Sequence, residues 1–308
     1  MTLPNFLIIG AERCGTTSTY NYLSQHPQVF VTPQKETRFF QAVGDVTQYK
    51  GPGDQRVQRQ SITRFADYTA QFDRVAEETA LGEVCPSYLI APAAIPKIKR
   101  HVPGVRLFAI FRHPVARAYS SFMLFRRMGR ETETDFSTAL RLGTGRVSQG
   151  WNDYWDYRRC SLYTDRLAPY LKAFGRDRIT ILFYDDLARD PTAFMRRLFR
   201  LLDVDDSFEP DVSRVFNPAG IPKNNRLHQL IKHPSGIKKI YRALVPGSLH
   251  NRIAPRVEMQ NLRREDLPIE IKQSLTGEFR ESILRLQDLT ARDLSGWLEP
   301  PFVAARAH

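Results

Sequence analysis

The feature that most constrains this chain is a short apolar run, Asn5 to Ile9, that breaks into Gly10-Ala11-Glu12-Arg13-Cys14-Gly15-Thr16-Thr17-Ser18 and continues as a helical stretch from about Thr16 to Ser24. A buried strand, a loop framed by two glycines and a helix start make a nest of backbone N–H groups. The helix dipole reinforces it, and the arrangement suits an anion such as phosphate. A nucleoside-triphosphate loop of this kind ends in Gly-Lys-Ser/Thr. Here Thr16 stands at the lysine position, and Arg13 places a cation inside the turn instead. That change argues against a kinase or ATPase while keeping positive charge beside the same phosphate. A plain strand–turn–helix capped by threonines has the same pattern, so the weight of the loop comes from the segments that accompany it.

Those segments repeat the strand-then-helix order. Val105 to Phe111 is a second buried strand, and Pro114 opens a helix over Val115 to Arg126. Arg178 to Tyr184 is a third strand, and Asp190-Pro191 starts a helix over Thr192 to Leu202. Near the C-terminus Leu267, Ile271, Leu275, Phe279 and Ile283 recur every four residues, as in an amphipathic helix packed on a body. Strands alternating with helices imply an α/β fold: a mostly parallel central sheet flanked by helices, P-loop-like in its nucleotide-binding loop. The polar, glycine-rich stretch Gly44 to Ser61 reads as an exposed excursion. No linker stands out, so residues 1–308 are read as one domain, with a cofactor-binding core over about 5–226 and a basic, helical part over 227–308.

Composition narrows the setting. The 42% apolar fraction supports a sizeable core, and no run reaches the roughly 18 apolar residues of a transmembrane helix. The N-terminus lacks a basic region ahead of its apolar stretch, so no secretory signal is expected. Cys14, Cys85 and Cys160 are few and lack CxxC spacing, which argues against a disulfide framework or zinc site and fits a reducing cytoplasm. The net charge is +12, and residues 223–264 hold ten Lys or Arg against the single acid Glu258. Such a stretch suits a nucleotide phosphate, an acidic polymer or an anionic membrane surface, and equally a solvated basic face.

With the first loop in view, Phe111-Arg112 and Ser120 complete a resemblance. The chain resembles the sulfotransferases that use 3′-phosphoadenosine-5′-phosphosulfate (PAPS), and its bacterial and carbohydrate-type branches in particular. The family's first loop has Lys or Arg, a small residue, then Gly-Thr-Thr. The resemblance implies that Arg13, Cys14, Gly15, Thr16, Thr17 and Ser18 surround the 5′-phosphosulfate. Ser18 stands where the cytosolic small-molecule branch has a tryptophan. An Arg followed eight residues later by Ser is the family's 3′-phosphate motif, which implies that role for Arg112 and Ser120. Arg and a hydroxyl make a suitable grip for a dianion. Tyr184, in Phe183-Tyr184-Asp185-Asp186-Leu187, matches the tyrosine that contacts adenine, and Lys223 and Arg226 resemble a late basic loop over the 3′-phosphate.

The family's glycan-modifying members resemble Lys35-Glu36-Thr37-Arg38-Phe39-Phe40, which makes Glu36 the first candidate for the acceptor's general base. Beside two aromatics its carboxyl is expected to be desolvated and raised in pKa. Glu83 is the second candidate. It is followed by Val84 where glycan enzymes often carry a lysine, which argues against a heparan-type acceptor. His113 reads as a neighbour of the phosphate grip. Trp151, Tyr154, Trp155 and Tyr157, with Arg158 and Arg159, either line an acceptor cleft for a small alcohol, glycan or lipid or form a packed loop. No metal is expected and nucleic acid is not the favoured partner. Two alternatives stay open: a magnesium-dependent kinase that uses Asp185 or Asp186 as its metal-holding acid, and a non-catalytic nucleotide- or nucleic-acid-binding module.

Overall fold

Every residue of β1, Phe6–Gly10, is buried, and the strand is hydrogen-bonded in parallel to a strand on each side. A strand covered on both faces is continuously apolar rather than alternating, which is why FLIIG reads as it does. The computed structural model of the chain describes residues 2–42, 49–214, 216, 221–222, 262–263 and 266–299. Around β1 stand β2 (Val29–Val31), β3 (Ala80–Val84), β4 (Arg106–Phe111) and β5 (Ile179–Phe183), all parallel, in the spatial order β2-β3-β1-β4-β5. A separate antiparallel pair joins β6 (Ile221–Pro222) to β7 (Leu262–Arg263). Phe6 lies opposite Gly82 of β3, and a Cβ on Gly82 would stand 2.0 Å from its ring. The packing of Phe6 therefore requires glycine in the middle of that strand.

The connecting helices are α1 (Thr16–Leu23), α2 (Phe39–Ala42), α3 (Asp54–Arg59), α4 (Phe65–Thr69), α5 (Ala94–His101), α6 (Pro114–Arg127), α7 (Phe136–Ser148), α8 (Tyr163–Phe174), α9 (Tyr184–Arg189) and α10 (Pro191–Leu201). The long α11 (Ile269–Thr290) packs on α6 and α8 through Leu275, Phe279, Ile283 and Leu286. Proline sits at the first turn of α6 and α10, and the Asp190 side chain caps α10 by accepting from the Ala193 N–H at 2.9 Å. One buried core runs from Phe6 to Trp297.

In the stretch expected to be an exposed excursion, the described residues 49–61 are mostly exposed or half-buried, with Gly51 and Asp54 as the buried exceptions. Within it Asp54 is fully buried: its carboxylate pairs with Arg130 and accepts from Trp155 Nε1 at 3.1 Å. A polar composition does not reveal a buried ionic contact. No described helix is long and apolar enough to cross a membrane.

Candidate active site

The chain leaves β1 towards β2 and β3 but leaves β4 towards β5, so the crevice at the carboxyl ends of β1 and β4 is a topological switch point. Open α/β sheets take ligands at such points. The first loop enters α1 through Gly15, which is left-handed at φ 86°, and no side chain caps the helix. The positive end of the α1 dipole therefore carries no side-chain cap, a setting that suits an anion. A Cβ on Gly15 would stand 2.6 Å from Leu187 and 2.9 Å from Tyr184, so glycine alone lets the β5 corner close on the loop. Arg13 is also left-handed, at φ 66°, a conformation that costs energy for a non-glycine residue and gathers at functional sites. Its Nε donates to Ser120 Oγ at 3.0 Å. Burial, opposed by Glu12 and reinforced by repulsion from Arg127 and Arg112, pushes the Arg13 guanidinium down to about 10.

Arg13, Arg112 and Arg127 are thus close enough to repel one another's charge, and the acid beside Arg13 is already engaged. Glu12 accepts from Ser121 Oγ at 2.8 Å and lies 3.7 Å from the fully buried Arg117, whose charge opposes the upward push of burial on its carboxyl. The surplus of positive charge and the uncapped helix suit a phosphate or phosphosulfate. Thr16 and Ser18 are buried in the first turn of α1, with Thr17 between them. Cys14 is the exception in the loop. Its thiol is buried against Tyr163 Oη at 3.8 Å and pushed up to about 11 by burial, and its N–H bonds the Ala11 carbonyl at 3.3 Å. Cys14 therefore serves the loop's own shape.

Arg112 joins this crevice from β4. Its Nη1 donates to the Arg13 carbonyl at 3.4 Å, and its guanidinium lies 4.6 Å from the centre of the Tyr184 ring. His113 Nε2 donates to the Trp297 carbonyl at 2.9 Å, and burial pushes the imidazole down to about 4. Trp297 Nε1 in turn donates to Asp185 at 2.6 Å. Both terminal nitrogens of Arg292 hold Asp186, one at 2.9 Å, and that hydrogen bonding keeps the carboxyl below its ordinary range. The acids that favoured a magnesium kinase are thus committed to the C-terminal segment. Among the described residues no cluster of three His, Cys, Asp or Glu is suited to a metal.

The two carboxylates considered for the base have different settings. Glu36, in the loop after β2, is 22% exposed and clamped between Lys35 Nζ at 3.0 Å and Arg38. Burial pulls its carboxyl upward, but Lys35 and Arg38 outweigh burial and hold it below its ordinary value. The expected rise beside Phe39 and Phe40 is therefore corrected. Phe39 stacks on Tyr68 at 4.3 Å and Phe40 packs on Tyr88, both inside the core. Glu83 is completely buried on β3. It accepts from the Thr37 N–H at 3.2 Å, from Thr37 Oγ1, from Tyr68 Oη at 2.9 Å and from Tyr88 Oη at 2.9 Å. Burial raises its carboxyl, partly offset by these donors.

With this geometry in hand, the sequence pattern of the Sulfotransferase family matches residues 4–210. The chain belongs to the sulfotransferase family. A crystal structure of a sulfotransferase from Alicyclobacillus acidocaldarius superposes with a TM-score of 0.76 at 28% identity, over 97% of this chain and 100% of that one. The membrane-associated sulfotransferase kil1 of Dictyostelium discoideum is 28% identical over 122 residues, 40% of this chain and 23% of that protein. The heparan sulfate glucosamine 3-O-sulfotransferase 3A1 of Mus musculus is 25% identical over 197 residues, 64% of this chain and 44% of that protein. The chain thus spans less than half the length of either curated relative.

Lys223 and Arg226, together with most of the basic stretch 223–264, lie outside the described residues. Of the aromatics weighed for an acceptor cleft, Trp155 and Tyr157 belong to the core: both are fully buried, and Tyr157 Oη donates to Glu131 at 2.8 Å. Arg158 pairs with Glu278 at 2.7 Å and Arg159 lies 3.8 Å from Asp153, both at the surface. Sequence reasoning missed Glu12, Arg38, Arg117, Arg292 and Trp297. Only Arg38 left a usable signal, a cation two residues beyond the candidate base. The partners of the others lie far away in sequence.

Proposed function

We propose that this sulfotransferase moves a sulfuryl group from PAPS to an acceptor hydroxyl by in-line transfer, on a sugar, a lipid or another small alcohol. The observation that carries the proposal is the meeting of Arg13, Arg112, Ser120 and Tyr184 at one switch point. PAPS supplies an activated sulfuryl group on its 5′-phosphate. Arg13 and the first-turn amides of α1 hold that end and balance negative charge on the departing phosphate. Arg112 and Ser120 hold the 3′-phosphate, and Tyr184 meets the adenine. Glu36 takes the acceptor's proton, because Glu83 already receives four hydrogen bonds and has no exposed face. Glu83 instead fixes Thr37, the residue between Glu36 and Arg38. As in phosphoryl transfer, positioning and electrostatics carry the catalysis.

Calorimetry tests the donor assignment. The chain should bind 3′-phosphoadenosine 5′-phosphate (PAP) and not ATP with comparable strength; the reverse preference ends the proposal. Three buried, unpaired cysteines are compatible with the cytoplasmic setting that forms part of the same reading. Contact of the basic stretch 223–264 with an anionic surface is a further part, checked by co-sedimentation with vesicles with and without anionic lipid.

A further inference from the structure

A carboxylate beside an anion site repels the ligand, so its presence there calls for a physical reason. Glu12 is such a carboxylate, next in sequence to Arg13 and only 16% exposed. Adjacent residues of the first loop meet adjacent residues of α6 with donor and acceptor reversed. Arg13 Nε donates to Ser120 Oγ at 3.0 Å, and Ser121 Oγ donates to Glu12 Oε2 at 2.8 Å. The same Glu12 oxygen lies 3.7 Å from Arg117 Nη1. Arg117 stands one helical turn before Ser121, so both address Glu12 from one face of α6. Arg117 is itself fixed. It is completely buried, and it donates from Nε to Ser161 Oγ and from Nη2 to the Tyr157 carbonyl, each at 2.7 Å. On the other side of the loop the Ala11 N–H donates to the Ile110 carbonyl at 2.9 Å. Between these anchors the left-handed backbone of Arg13, at φ 66°, is held against its intrinsic cost.

We infer that Glu12 is a positioning residue of the donor site: through Ser121 and Arg117 it fastens the first loop to α6 and so sets the direction of the Arg13 guanidinium. The inference rests on the reading of Arg13 as the contact to the 5′ end of the donor, and it adds a residue that the donor need not touch. Direction matters because a charge aimed at the departing phosphate loses much of its worth when it is misplaced by about an ångström. Among the charges around Glu12, Arg117 acts on it more strongly than Arg13 does. The carboxylate is thus balanced mainly from the core side, which limits how far it weakens the pull of Arg13 on an anion.

The test uses the full-length chain. Calorimetry measures its affinity for PAP and for adenosine 3′-phosphate, which lacks the 5′ group, with the thermal midpoint alongside. The wild type should bind PAP more tightly. In Glu12→Ala the ratio of the two affinities should fall roughly 10-fold, the scale of a hydrogen bond to a charged group, while adenosine 3′-phosphate still binds as before. Glu12→Gln can still accept from Ser121 and should recover part of the ratio. Ser121→Ala leaves the buried Arg117 its counter-charge and should lower the ratio several-fold. Added to Glu12→Ala it should change little more, since it acts through the same carboxylate. Should Glu12→Ala fail to fold, Ser121→Ala decides alone. An unchanged ratio, equal losses for both nucleotides with a falling thermal midpoint, or a full Ser121→Ala effect in the double variant overturns the inference by itself. A wild type that binds PAP no more tightly than adenosine 3′-phosphate overturns the reading of Arg13 as well. Failure of the wild type to bind PAP overturns the donor assignment and the inference with it.

Discussion

Arg13 Nε donates to Ser120 Oγ at 3.0 Å, across 107 residues of sequence, and so joins the loop proposed to hold the 5′-phosphosulfate to the helix proposed to hold the 3′-phosphate. Residues that share a hydrogen bond couple energetically. Arg13→Ala should cost on the order of 2–4 kcal/mol in transition-state stabilisation. Combined with Ser120→Ala in a double-mutant cycle on PAP affinity, it should show a coupling of about 0.5–3 kcal/mol. Strict additivity would mean that the two grips act independently and that the bond has no part in binding.

His113 ties the corner after β4 to the C-terminal segment through the Trp297 carbonyl, and its imidazole is pushed from the ordinary histidine range down to about 4 by burial. The sign follows from proton counting. Between the two values the unfolded chain binds a proton that the native state does not, so stability is complete above the unfolded pKa and is lost as pH falls towards the folded one. The loss should approach on the order of 3 kcal/mol by the lower limit. Urea titrations at pH 7 and pH 5 should show the wild type weakening, while His113→Gln, less stable at pH 7, should show a flatter pH dependence.

The sheet was partly legible in sequence because buried parallel strands are unbroken apolar runs. Phe6–Gly10, Arg106–Phe111 and Ile179–Phe183 announce themselves in this way. Val29–Val31 is too short to carry a pattern, and Ala80–Val84 hides behind Gly82 and Glu83, which disfavour strands. Only the packed structure explains both residues: Gly82 makes room for the Phe6 ring, and the buried Glu83 carboxyl accepts four hydrogen bonds. The anion loop was legible because its geometry is local. The clamp on Glu36 was misread because Phe39 and Phe40, adjacent in sequence, turn into the core, whereas Lys35 and Arg38 stay with the carboxylate.

Asp185 and Asp186 are engaged by Trp297 and Arg292, so neither is available to hold magnesium in the manner of a kinase. Sulfate transfer should persist in EDTA. Complete loss of activity, restored by magnesium, would falsify the sulfotransferase mechanism and favour a kinase.

Glu83 and Thr37 give a separate test of positioning. Thr37→Val removes the hydroxyl that donates to Glu83 while leaving the backbone N–H bond in place. A buried acceptor that loses one of its donors costs about 1–3 kcal/mol, and the loop bearing Glu36 should lose its alignment. Turnover should fall roughly 10-fold, on the scale of a lost hydrogen bond. PAP affinity and the pH dependence of turnover should remain those of the wild type. A shifted pH profile in Thr37→Val would instead point to Glu83 as a titrating catalytic group.

The last prediction concerns the base itself. Lys35 and Arg38 hold the Glu36 carboxyl below its ordinary value against the upward push of burial, so Glu36 is already ionised throughout the neutral range. A general base must be deprotonated to act, and the acid limb of kcat/KM reports its pKa in the free enzyme. That limb should therefore lie on the acid side of the ordinary carboxylate range, with kcat/KM flat across neutral pH wherever the protein remains folded. Lys35→Met removes one of the two cations and leaves burial less opposed, so the limb should move to higher pH. Glu36→Gln keeps the side chain's shape without its basicity. It should retain PAP binding while turnover drops by roughly 10²–10⁴-fold. Near-normal turnover in Glu36→Gln, or an acid limb that stays put in Lys35→Met, would take the proton-accepting role away from Glu36.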